Sequence, residues 1–116
     1  MASITEMAEQ LGKAIASSPQ AANLRAARKE LNAQPDVKRL LEDYRKQAEK
    51  IGHLEEEQKP VEPEDKRQLE DLHGKLVASD VFKKFTAAQV EYIDLMRKVN
   101  ESMAKALAEV DQELRA

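Results

Sequence analysis

Apolar residues near the start of the chain recur every three or four positions, which is the spacing of one face of an α-helix. This pattern covers residues 3–17, and Ser3 with Glu6 fits a capping box at its beginning. Ser18 and Pro19 then predict the start of a second helix, because serine caps helices and proline suits the first helical turn. The sequence therefore predicts two helices separated by a short break.

A third helix is predicted to begin at Gln34 and Pro35, because the residue before a proline is biased away from the helical conformation. Its apolar positions are Val37, Leu40, Leu41, Tyr44, Ala48 and Ile51. The pattern then fades into a stretch with Pro60 and Pro63, which predicts a turn. Residues 55–65 hold six acidic side chains against one lysine, so we expect a solvated hairpin tip, with a docking site for a partner as the alternative.

The second half of the chain predicts two more helices. A short fourth helix is predicted from three leucines, Leu69, Leu72 and Leu76. Ser79 or Asp80 can cap the fifth helix, in which apolar residues keep an alternating three- and four-residue spacing. A single helix from Asp80 to Leu114 would be about 50 Å long at 1.5 Å per residue. We therefore predict an all-α helical bundle of about five helices with a long C-terminal helix, in a single domain over residues 1–116.

Composition agrees with helices and excludes several kinds of site. Only two tyrosines, two phenylalanines and few β-branched residues are present, which disfavours sheets. The chain has no cysteine, so disulfides, thiolate metal sites and a cysteine nucleophile are excluded. With 19 basic and 22 acidic side chains the net charge is −3, which gives no bulk attraction to nucleic acid or anionic lipid. Because no signal-peptide or membrane-spanning pattern is recognisable, we expect a cytoplasmic protein.

Neither catalysis nor a cofactor is expected from the remaining polar residues. Glu70 and His73 have the i, i+3 spacing of helical di-iron ligands, but such a site needs two of these pairs and two further glutamates. We therefore expect both histidines on solvated faces and no bound metal. The three glycines form no phosphate-binding loop, and no serine belongs to a nucleophile motif. The sequence predicts a protein that is not an enzyme and carries no cofactor.

Direct binding of RNA is a weaker alternative. The second and third helices carry a basic flank, made of Arg25, Arg28, Lys29, Lys38, Arg39, Arg45 and Lys46. Acidic residues such as Glu30 and Glu42 interleave with these side chains, and no exposed aromatic set is evident for base stacking. Salt-bridged helix faces are the simpler interpretation of this pattern.

Self-association is predicted from the long fifth helix, because a chain of this size cannot cover a helix of about 50 Å from within. We expect a homo-oligomer, most simply a dimer, held together by apolar contacts along that helix. The residues expected to make these contacts are Phe82, Phe85, Tyr92, Met96, Val99 and Met103. Packing of the same residues inside their own chain is the alternative, and both can hold on different parts of the helix.

Four stretches of the sequence carry a family resemblance. They are Ala8-x-x-Leu11-x-x-x-Ile15, Pro35-Asp36-Val37-x-x-Leu40-Leu41-x-x-Tyr44, Val81-Phe82-x-x-Phe85 and Leu95-x-x-x-Val99. In this order, around a polar proline turn, they resemble the YlbF/YmcA family of small bacterial regulators. The resemblance covers about Ile4 to Val110, and it rests on aliphatic spacings and turn residues.

This resemblance implies an all-helical, self-associating cytoplasmic protein without catalytic residues. The best-known relatives join a small complex that modulates ribonuclease Y and so messenger RNA processing. Some relatives hold iron–sulfur clusters through cysteines, which this chain lacks. Our first hypothesis is a non-enzymatic regulatory or adaptor protein that binds itself and a protein partner such as a ribonuclease-Y-type complex. A small helical chaperone or holdase is the alternative from another class, and direct RNA binding is the third.

Overall fold

In a computed structural model, residues 1–115 are described, and within this range they form six α-helices and no strand. The helices are α1 (Ile4–Ala16), α2 (Pro19–Asn32), α3 (Pro35–Glu56), α4 (Pro63–Val77), α5 (Asp80–Ala106) and α6 (Ala108–Arg115). The all-helical prediction is confirmed. The count of about five is wrong, because the long C-terminal helix predicted over residues 80–114 consists of two helices that meet at Leu107.

The break at Leu107 comes from a tightened turn in a segment that contains neither glycine nor proline. The N–H of Leu107 is shared between the carbonyl oxygens of Met103, at 3.0 Å, and Ala104, at 3.2 Å. A donor shared in this way tightens the end of a helix. The N–H of Asp111 still donates to the carbonyl of Leu107 at 2.9 Å, which is an α-type bond. Helical hydrogen bonding therefore continues on both sides of the break.

Serine side chains cap the first turns of α1, α2 and α5, at positions that the sequence predicted. The hydroxyl of Ser3 accepts a hydrogen bond from the backbone N–H of Glu6 at 3.1 Å. Ser18 and Ser79 accept in the same way from the N–H three residues ahead, at 3.2 Å and 3.3 Å. Each bond satisfies an N–H that has no carbonyl partner in the first helical turn.

The end of α3 is a Schellman motif whose left-handed residue is Gln58, with φ of 58°. The N–H of Lys59 donates to the carbonyl of Leu54 at 2.8 Å, and that of Gln58 donates to Glu55 at 3.1 Å. These bonds satisfy two carbonyls at the end of the helix. Glycine usually occupies the left-handed position, because a Cβ is strained there.

Replacing Gln58 with glycine is expected to stabilise the protein by about 0.5–1 kcal/mol, because relief of left-handed strain outweighs the backbone entropy that glycine loses. Gln58→Ala is the control, since it keeps the Cβ, and should change the free energy of unfolding by less than about 0.5 kcal/mol. Urea denaturation measures both variants. A less stable glycine variant would contradict the assignment of strain to this residue.

Close contacts fall into two groups, of which the first comprises residues 26–86. In this group α3 and α4 pack side by side as a hairpin. Its buried apolar side chains are Ala27, Leu31, Val37, Leu76 and Phe85. Leu76 is only 1% exposed, so it is the large side chain most completely enclosed in this group.

Asp65, near the start of α4, is a polar residue buried in this hairpin at 8% exposure. The ammonium of Lys50 on α3 lies 2.9 Å from its carboxylate, and the side-chain amide of Gln47 donates to its backbone carbonyl at 2.9 Å. The hydrogen bond from Lys50 lowers the pKa of Asp65, although partial burial opposes this shift. The expectation that residues 55–65 are all solvated is therefore wrong for Asp65, whereas the five glutamates of that stretch are exposed.

The Asp65→Asn variant is expected to be less stable at neutral pH and less sensitive to acid. Because the folded-state pKa lies below the unfolded value near 3.8, Asp65 contributes stability above that value and loses it as pH falls through the folded pKa. Urea unfolding between about pH 7 and about pH 2 measures the difference, with the exposed Glu64→Gln as control. Parallel acid profiles for Asp65→Asn and wild type would show that the ion pair contributes nothing.

The second group comprises residues 1–25 and the chain from Ala87 onward. The guanidinium of Arg25 donates to the carbonyl of Ala16 at 2.9 Å, which ties α2 to the end of α1. Neither α1 nor α6, both described along their full length, has a buried residue. Among the described helices, none is long and apolar enough to cross a membrane.

Candidate interaction surface

The first helix carries an exposed apolar face. Ile4, Met7 and Leu11 lie on one side of α1, and they are 86%, 57% and 40% exposed. We call these three residues the α1 face. Amphipathic helices in globular proteins normally bury such a stripe, so its exposure marks a surface for another protein or another copy.

A second exposed apolar surface runs along α5 and α6. Its large side chains are between 47% and 85% exposed. We call it the C-terminal face, and it consists of Ile93, Met103, Leu107, Val110 and Leu114, whereas the exposed Val90 lies on another side of α5. Methionine and branched aliphatic side chains at this density are typical of an interface, because they are costly to leave in water.

Between Phe85 and Val99, part of α5 is turned away from solvent. Phe85 and Ala88 are buried, and Tyr92, Leu95 and Val99 are half-buried. These positions follow one another at three- and four-residue spacing, as expected for one face of a helix. This side of α5 is therefore enclosed from Phe85 to Val99 and exposed from Met103 onward.

The six residues predicted for self-association differ in exposure along the length of α5. Phe85 is buried at 8% exposure, and Met103 is exposed at 49%. The other four are half-buried, namely Phe82, Tyr92, Met96 and Val99. Their contacts with a second copy stay a prediction, and Met103 is the member most available for it. The heptad spacing identified Met103 but missed Ile93 and Leu107, which are also exposed.

An open, mainly apolar depression on α5 lies beside the C-terminal face. It is lined by Tyr92, Ile93, Met96, Arg97, Asn100, Glu101 and Ala104. At its edge the guanidinium of Arg97 pairs with Asp94 and with Glu101, each at 2.6 Å. Hydrogen bonds from Arg97 and then Lys98 lower the pKa of Asp94, and the hydrogen bond to Asp94 raises the pKa of Arg97. Exposed pairs of this kind add little stability, but they hold the charges along the rim.

The other candidate residues are scattered. Both histidines are exposed, as predicted, and the ring of His73 lies 6.1 Å from that of Tyr44. Lys46 of the basic flank shares a polar groove between α3 and α4 with Asp43 and Asp71, so this part of the flank is not uniformly basic. Within residues 1–115, no three histidine, aspartate or glutamate side chains converge as metal ligands would.

Comparison with known proteins decides the family. Residues 4–108 match the family described as control of competence regulator ComK, YlbF/YmcA. The chain belongs to the YlbF/YmcA family. The resemblance found in the sequence is therefore confirmed, and it extends over nearly the whole chain.

A solved structure supports the fold of this YlbF/YmcA protein. Bacillus subtilis RicA, determined by X-ray crystallography in complex with RicF, is similar with a TM-score of 0.75 and 22% sequence identity. The match covers 91% of this chain and 94% of RicA. No curated protein sequence matches this chain significantly. At this level of identity, the likeness to RicA establishes the shared helical fold.

Proposed function

We propose that this YlbF/YmcA protein is a non-enzymatic regulator that acts by binding other proteins, including a second copy of itself. The observation that carries the proposal is the exposure of two apolar helix surfaces, the α1 face and the C-terminal face. The family description as a competence regulator supports regulation, and the complex of RicA with RicF shows a protein of this fold bound to a protein partner.

Burial of the side chains of the C-terminal face is the energetic basis of the proposed self-association. Fully burying one valine, leucine, isoleucine or methionine contributes about 1.5–3 kcal/mol. Five such side chains are about half exposed or more in one chain. Covering them in a dimer would contribute on the order of 5 kcal/mol from each copy before the cost of association is subtracted. The two copies together would contribute about 10 kcal/mol, which exceeds the lower estimates of that cost, about 4 kcal/mol, and this favours a homodimer.

The finer function follows from the family resemblance. We propose that the protein works in the cytoplasm and that its partner is a complex of the ribonuclease Y type, so that its output is messenger RNA processing. The α1 face is the surface we assign to this partner. Because α1 has no buried residue and the three side chains of the α1 face are exposed, this face can be occupied without opening the core.

The test is complementation of a deletion strain of the native host. Wild-type protein should restore the ribonuclease-Y-dependent RNA 5′ ends, and Met7→Glu, which puts a charge on the α1 face, should not. Gln10→Glu adds the same charge on the flank of α1 and should complement like wild type. Unchanged 5′ ends in the deletion strain would contradict the ribonuclease link, and full complementation by Met7→Glu would contradict the role of the α1 face.

Two further measurements separate the alternative functions. Purified wild-type protein should not bind RNA tightly near physiological salt; tight binding that weakens steeply with salt would replace the proposal with direct RNA binding. The protein should also leave the aggregation of an unrelated unfolded protein unchanged. Suppression of that aggregation by wild type but not by Met7→Glu would favour a holdase.

A further inference from the structure

One side of α5 and α6 follows a heptad repeat from Ile93 to Leu114, in which Met96 is half-buried and the other members are exposed. Its first core positions are Ile93, Asn100, Leu107 and Leu114, and its second core positions are Met96, Met103 and Val110. We call these seven residues the C-terminal seam. Six of the seven are apolar, and the polar member is Asn100, which is exposed and lies in the apolar depression.

The heptad pattern continues in the same register across the junction of α5 and α6. The N–H of Leu107 donates to the carbonyl of Met103, and the N–H of Asp111 donates to the carbonyl of Leu107, so the ladder of hydrogen bonds has no gap at the junction. The heptad positions before and after the junction therefore lie on the same side of the two helices, as at Met103, Leu107 and Val110. The seam covers about three heptads and about 33 Å, a length at which a heptad pattern is typical of paired helices.

We propose that the C-terminal seam pairs with the same seam of a second copy, and that the two Asn100 side chains face each other and fix the alignment of the helices. The inference rests on the self-association in the proposed function and adds its specificity. A side-chain amide both donates and accepts hydrogen bonds, so Asn100 is complementary to an identical residue. A purely apolar partner surface would leave this amide buried and unsatisfied, which is unfavourable.

A second copy also explains why a polar residue occupies this position. A single asparagine at a core position of paired helices weakens the pairing but selects one alignment and one number of chains. The six apolar members of the seam could otherwise pair in several shifted registers, because they are similar in size and shape. Each shifted register would place Asn100 against an aliphatic side chain.

The test uses opposite charges at position 100. Asn100→Asp and Asn100→Lys should each weaken dimerisation at least tenfold, because like charges meet, whereas an equimolar mixture should restore the dimer through an ion pair. Sedimentation velocity measures the mass of each sample, and circular dichroism checks that the helices persist. Gln112→Asp and Gln112→Lys are matched controls, since Gln112 lies on the side of α6 opposite the seam, and both should dimerise like wild type.

The possible results distinguish this inference from the proposed function. Recovery of the dimer only in the mixture supports contact between the two Asn100 residues. A wild-type dimer with no recovery in the mixture overturns the inference and leaves self-association standing. A monomeric wild type overturns both, while binding to the separate protein partner is decided by the complementation of Met7→Glu.

The Asn100→Leu variant gives an independent test. This variant should associate at least tenfold more tightly than wild type and form more than one oligomeric state. An unchanged single oligomeric state would count against the inference.

Discussion

The Met103→Glu variant is expected to be a monomer at concentrations where the wild-type protein is a dimer. Met103 is 49% exposed in its own chain and lies in the middle of the C-terminal seam, so a carboxylate there should be tolerated in the monomer. In the dimer, the charge would be buried without a partner in both copies, which is strongly unfavourable. We expect dimerisation to weaken at least about a hundredfold, or about 3 kcal/mol.

Sedimentation velocity of this variant should be compared with Gln112→Glu, which adds the same charge on the opposite side of α6. Met103 is a better site for this test than Tyr92 or Met96, because those two side chains are half-buried in their own chain and a charge there could unfold it. A Met103→Glu protein that keeps the wild-type mass would place the interface elsewhere. Unchanged circular dichroism shows that the loss of mass is not unfolding.

The Leu76→Ala variant is expected to lose about 2–5 kcal/mol of folding free energy, because it creates a cavity where the side chain is 1% exposed. The next residue provides the control, since Val77→Ala removes apolar atoms at a position that is 40% exposed and should cost less than about 1 kcal/mol. Urea unfolding at fixed protein concentration measures both. Equal losses in the two variants would contradict the placement of Leu76 in the core.

Local signals in the sequence were sufficient to predict where three of the helices begin. Ser3, Ser18 and Ser79 cap the N–H groups three residues ahead, and this chemistry lies within one turn of the chain. The junction at Leu107 had no such signal, because the tightened turn contains neither glycine nor proline. A helix end of this kind cannot be identified from residue type alone.

Long-range pairing was not predictable in the same way. Asp65 looked like one of six acids in a solvated turn, and only the packing of α3 on α4 brings it to Lys50, 15 residues earlier. The spacing on α5 likewise identified apolar residues without showing which of them the chain would enclose. Phe85 is enclosed and Met103 is exposed, although both lie on the same side of the helix.

Self-association is tested most directly by the mass of the wild-type protein in solution, measured by sedimentation velocity over a range of micromolar concentrations. The exposed C-terminal face predicts a dimer with twice the 13.1 kDa mass of the chain. A compact monomer of 13.1 kDa at every concentration would contradict the claim that a second copy covers this face.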